Sequence, residues 1–209
     1  MYDSFINRPS TSLAPFPVSL NEHPTIMPIP SFDYNNVLPP HLGNPTDRTH
    51  LSPYPCTILE LCHKFSTSPK RIQILKNFVV FRQRMTAFNI TFGFQWLDGS
   101  FLENIEVSSG RPPNDLDVVT FFGGLSLSDQ ANIRVTFPEF ANPILAKNNF
   151  LLDHYPVDYS YNPDVTVEQT RYWLQLFTHN RIGVWKGILR LSLNTPIDDQ
   201  HALDFLNLI

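Results

Sequence analysis

Cysteine is scarce in this chain. Cys56 and Cys62 are the only two among 209 residues, too few for the disulfide framework of a small secreted domain. Their C-x5-C spacing, with His63 alongside, lacks the second ligand pair that a zinc site needs, so both read as ordinary helix cysteines. The seven histidines form no metal-spaced pair. Long apolar runs are missing as well. No stretch of 18 apolar residues exists, so no transmembrane helix is expected. The first twenty residues hold no basic segment followed by an apolar one and do not read as a signal peptide. The expectation is a soluble, cytoplasmic protein that does not contact a membrane. Basic charge is not in excess either. The net charge is −4, so any nucleic-acid contact must come from a local patch. Phe121-Phe122-Gly123-Gly124 is not a phosphate loop of the G-x-x-x-x-G-K kind, and Gly99-Ser100 lacks the nucleophile-elbow pattern of a hydrolase.

Apolar mass is plentiful. Hydrophobic residues make up 42% of the chain and 17 are Phe, ample for one core with an appendage. Eleven of the 19 prolines fall between Pro9 and Pro55. Proline fixes φ and removes a donor, so residues 1–55 read as an extended arm. Its apolar residues, among them Phe16, Ile26, Met27, Phe32, Val37 and Leu38, predict that parts of it pack on the domain or on a second subunit. The domain itself spans 56–209. Cys56–Lys64 predicts a short helix. Ser68 as cap and Pro69 at the first position open a longer one reaching about Ala87. Its Lys70, Arg71, Lys76, Arg82 and Arg84 predict a solvated basic face, with a phosphate- or RNA-facing stripe as the alternative. Strands are predicted at 91–97, 115–122 and 153–161, where Pro156 suggests an edge. Helices are predicted from Ser126, within 138–148, over 165–178 and at 197–209. A last strand, or helix-to-strand segment, falls within 184–193. Tyr172 and Trp173 are expected to pack rather than to stack a base.

The stretch Trp96–Phe122 carries the chemistry. It holds Gly99-Ser100, fourteen intervening residues, then Asp115-Leu116-Asp117 leading into an apolar run. Strand side chains alternate, so Asp115 and Asp117 project together, about 6.6 Å apart at about 3.3 Å per residue. Two such carboxylates suit a divalent cation pair of the kind that clamps a transferring phosphoryl group. A Gly-Ser turn offers backbone N–H groups and a hydroxyl to phosphate oxygens. Asp98 is expected only to shape that turn.

At these residues the chain resembles the nucleotidyltransferase superfamily of DNA polymerase β type. That family shows a Gly-Ser turn, a short helix and an acidic-hydrophobic-acidic strand. The resemblance spans about Thr91–Tyr161. A wider likeness to an uncharacterised bacterial family rests on four pieces: Phe32-Asp33 through Val37-Leu38-Pro39-Pro40; FQWLDGSFLENIE; GRPPNDLDVVTFF; and Tyr172–Arg190 with WKGILR. The superfamily resemblance implies an α/β (α+β) fold, a small mixed sheet with flanking helices. It implies that Gly99 and Ser100 contact phosphate and that Asp115 and Asp117 hold Mg²⁺ or Mn²⁺. It implies a third carboxylate from a later strand, for which Asp158 is the first choice and Asp153 the reserve. Arg111, Lys147, Lys186 and Arg190 are candidates for the triphosphate charge, with Lys186 and Arg190 preferred.

The expected activity is transfer of a nucleoside monophosphate from an NTP to a hydroxyl of RNA, such as a tRNA end, or of a protein. A toxin–antitoxin or phage-defence setting follows by analogy. Two alternatives stay open. One is an inactive nucleotidyltransferase fold acting as a binding or antitoxin-like module. The other is an assembly protein whose arm drives homo-oligomerisation or captures a cognate partner.

Overall fold

The computed structural model describes residues 29–209. The first half of the expected arm, with Phe16, Ile26 and Met27, lies outside the described residues. From Ile29 onward the chain packs against the domain. Val37 and Leu38 are buried, the Tyr54 hydroxyl donates to Pro39 O at 2.8 Å, and the Gly187 amide donates to Leu38 O at 2.7 Å. The expected boundary at residue 55 therefore does not appear as a break in packing. Tyr54–Pro55 even forms a short strand, β1, within the sheet.

Local signals set most helices. Helix α1 (Ile58–Phe65) opens on a reciprocal capping box between Thr57 and Glu60, which satisfies two otherwise orphaned amides. Helix α2 (Pro69–Ala87) starts at Ser68 and Pro69 as expected. Short helix α3 (Ile105–Ser109) follows a 3-10 turn at Ser100–Leu102. Helix α4 (Leu127–Thr136) is capped by Ser126, and α5 (Pro143–Phe150) by Asn142. Helices α6 (Pro163–Phe177) and α7 (Pro196–Asn207) each begin on proline.

Four further strands complete a mixed sheet: β2 (Gly93–Asp98), β3 (Leu116–Phe122), β4 (Leu152–Asp158) and β5 (Leu189–Ser192). Their order is β1-β5-β2-β3-β4. β2 runs antiparallel to β3 and β5, and β3 runs parallel to β4. β4 is an edge strand, consistent with Pro156 in its middle. Alternation divides the side chains between two faces. Leu97, Val118, Leu152, Leu189 and Leu191 join the main core with buried residues of α1, α2 and α7. Trp96, Val119, Phe121, Val157 and Ile188 point the other way and pack with Trp173 and Phe177 of α6. Trp173 is thus a packing residue, while Tyr172 is exposed.

The solvated basic face expected on α2 does not form as a whole. Arg71 and Arg82 are buried, and Arg84 pairs with Glu139 while lying 4.2 Å over the Phe137 ring. Arg82 crosses the core. Its Nε donates to Asp199 at 2.8 Å, and its other nitrogens donate to Gln95, Ser192 O and Thr195. Gln95 then donates to Thr120, whose hydroxyl meets His154 Nε2 at 2.8 Å. Burial pushes His154 down to about 3, so it stays neutral. One guanidinium thereby ties α2 to α7 and starts a polar chain across β2, β3 and β4. Truncating Arg82 leaves Asp199 buried and unpaired, which costs about 3–5 kcal/mol. Denaturant unfolding of Arg82→Ala should show a loss of that size, with exposed Gln73→Ala within about 0.5 kcal/mol of native. Equal stabilities for the two variants would mean that the network holds nothing together.

Candidate active site at the acidic end of the sheet

Strand register brings the site together. Asp98 ends β2 directly opposite Asp117 of β3, and Asp117 lies directly beside Asp153 of β4. The three aspartates form a row across three neighbouring strands on the Trp96–Val119 face. Asp115, two residues before Asp117, adds a fourth carboxylate at the entry to β3.

Gly99 follows Asp98 with φ +84 and ψ −174, a region essentially reserved for glycine. A Cβ there would sit 2.3 Å from Asp117 Oδ2. The backbone of the turn therefore lies against the central carboxylate. Ser100 begins the 3-10 turn and is partly exposed.

Two buried cations clamp this segment. Lys186 Nζ contacts Asp98 and Glu103 at 2.9 Å each and donates to Gly99 O at 3.2 Å. Arg71 donates to Phe101 O and Glu103 O at 2.7 Å each and pairs with Glu106 through two nitrogens. The acidic residues after Ser100 are thus neutralised from β5's approach and from α2. Lys186, expected to meet triphosphate charge, is buried, and its ammonium is engaged by Asp98, Glu103 and Gly99 O. It positions the turn. Burial alone would pull its pKa down; Asp98 and Glu103 reverse this and hold it above the usual range.

The carboxylates repel one another. Burial, then Asp98, Asp115 and Asp153, push Asp117 up to about 7. Burial pushes Asp98 up to about 6 against the pull of Lys186. Lys147 Nζ lies 2.7 Å from Asp115 and 3.8 Å from Asp153, and the bond to Asp115 raises its pKa. Among the described residues no cation pairs with Asp117, and no group of three His, Cys, Asp or Glu side chains is gathered closely enough to hold a metal ion as they stand.

Asp158 is not part of this cluster. It stands opposite Phe122 at the far end of β4, about 16 Å along the strand from Asp153 at about 3.3 Å per residue. The odd spacing also turns it to the other face. Its carboxylate accepts from Ser160 N and Gln130 Nε2, and it is Asp153, the reserve choice, that stands beside Asp117. A readable signal existed: Leu116-Asp117 and Leu152-Asp153 are the same pair in register on parallel strands. Asp98, expected only to shape the turn, also faces Asp117 across the strand pair. Arg190 lies beside Trp96 on the site's face, its guanidinium 4.2 Å over Phe94. It has no carboxylate partner among the described residues. Arg111 is exposed and bonds Pro112 O.

The fold and this site define an α/β domain with an acidic cluster against a glycine turn. Residues 30–192 match a family of unknown function (DUF6932), and the chain belongs to that family. The match takes in the packed segment from residue 30 and every site residue named above. No curated protein and no solved structure matches the chain. Among the described residues no helix is long and apolar enough to cross a membrane.

The native state holds the Asp117 proton between about pH 4, where a free aspartate titrates, and about 7. The associated stability is full at low pH and lost as pH rises through that window. In chelator-treated buffer, Asp117→Asn should therefore melt above native at pH 8, the gap closing toward pH 4. A gap that stays constant with pH would remove the carboxylate as its source. Gly99→Ala should lose about 1–3 kcal/mol in denaturant unfolding.

Proposed function

We propose that this chain is a metal-dependent nucleotidyltransferase, moving a nucleoside monophosphate from an NTP to a hydroxyl of RNA or protein. The observation that carries the reading is Asp117 beside Asp153 on one sheet face, with Asp115 sharing the Lys147 ammonium with Asp153 and Gly99 against Asp117. The donor set is all carboxylate oxygen, which fits a hard divalent cation such as Mg²⁺ or Mn²⁺. The central carboxylate has no cation of its own among the described residues, and glycine lets the turn backbone lie directly against it. Asp115, Asp117 and Asp153 would hold the metal. When bound, it neutralises phosphate oxygens and eases ionisation of the attacking hydroxyl.

The chain's own residues do the rest. The Ser100 hydroxyl orients a phosphate, held in place because Lys186 and Arg71 fix the turn behind it. Asp153, at the edge of the row, accepts the acceptor's proton as the hydroxyl attacks the α-phosphate and pyrophosphate departs. Arg190 presents a guanidinium on the same face, above an aromatic floor of Phe94 and Trp96. That floor suits a base or a phosphate without demanding one nucleotide. A tRNA end, in a toxin–antitoxin or phage-defence setting, remains the acceptor suggested by analogy with the superfamily.

Label transfer from each α-³²P-labelled NTP, with Mg²⁺ or Mn²⁺, to total RNA and to protein tests the reading. Native protein and Asp158→Asn should label an acceptor; Asp117→Asn and Asp153→Asn should not. Absence of label with every NTP, metal and acceptor pool would favour a binding module without turnover.

A further inference from the structure

Lys147 occupies an unusual position for a surface lysine. It lies in the last turn of α5, and only Leu151, in the left-handed conformation at φ +57, separates that helix from β4. Six residues thus link Lys147 to Asp153, and the short connection aims its ammonium at the acidic row. Its Nζ spans two strands, 2.7 Å from Asp115 and 3.8 Å from Asp153. These are two of the three carboxylates assigned above to the metal, and the inference rests on that reading. A divalent cation and an ammonium cannot share those oxygens, because like charges a few ångströms apart repel strongly in a partly buried site.

The two lysines of the site differ in their freedom. Lys186 is buried and locked to Asp98, Glu103 and Gly99 O. Lys147 is half-exposed, and its charged contacts are to Asp115 and Asp153 alone. Its flexible four-carbon stem can swing without disturbing the core. The helix after Ser100 carries no cation of its own, so a triphosphate there needs one from elsewhere.

We infer that Lys147 is an exchangeable counterion, holding Asp115 and Asp153 in the metal-free protein and passing to the triphosphate when a divalent cation takes those carboxylates. The ammonium keeps the carboxylates in place before substrate arrives. Metal binding then releases a positive charge beside the phosphates that accompany the metal.

Two binding measurements test this without turnover. The first titrates Mn²⁺ alone and reads free Mn²⁺ by electron paramagnetic resonance. The second titrates each NTP analogue blocked between the α- and β-phosphates, at saturating Mn²⁺, by calorimetry. Lys147→Met should bind Mn²⁺ about five-fold more tightly than native, the upper range for a partly exposed ion pair. It should bind the preferred analogue more weakly, and Lys147→Arg should restore analogue binding. Circular dichroism checks that each variant is folded. Unchanged or weaker Mn²⁺ binding by Lys147→Met overturns the inference, as does unchanged analogue binding. Mn²⁺ binding by native protein that survives Asp117→Asn, or no Mn²⁺ binding at all, overturns the nucleotidyltransferase reading and this inference with it.

Discussion

Two buried cations hold the segment from Asp98 to Glu106, and the geometry of the site depends on them. Lys186 reaches the end of β2, the Gly99 carbonyl and Glu103. Arg71 reaches the carbonyls of Phe101 and Glu103 and the carboxylate of Glu106. Neither charge could sit in a dry interior without these partners. The turn, for its part, could not stay against Asp117 without them, since the segment between β2 and β3 has only short helices of its own. Positive charge drawn from distant parts of the chain fixes a loop that the local sequence leaves loose.

The sheet separates two kinds of polar group. On the core face, Arg82, Gln95, Thr120 and His154 Nε2 form a continuous hydrogen-bonded chain. On the opposite face, carboxylates from three strands crowd at one end with too few cations to neutralise them. Asp117 responds with a pKa raised to about 7. The first arrangement stabilises the fold. The second opposes it, and such local cost is characteristic of sites kept for chemistry.

Much of the local structure was legible. Ser68-Pro69 marked the start of α2 because capping and a missing N–H act within a few residues. Ser126 marked α4 in the same way. Pro156 pointed to an edge strand because proline has no N–H to donate to a neighbouring strand. Asp115 and Asp117 were readable as a pair because the two-residue period of a strand is a local property. Arg71 and Arg82 were misread as part of a basic face, since periodicity says which way a side chain points and not whether an acid waits there.

The sequence by itself determined where most elements begin, that Gly99 sits at a tight turn, and that two aspartates stand two residues apart at the start of a strand. These follow from backbone sterics and short-range hydrogen bonding. Only the tertiary structure decided that Asp153 and not Asp158 stands beside Asp117, because register between strands is set by the packing of both. It alone decided that Asp98 faces Asp117, that Lys186 is a buried strut, and that Lys147 answers the exposed carboxylates. Each of these depends on which charges folding brings within a few ångströms, and sequence distance does not encode that separation.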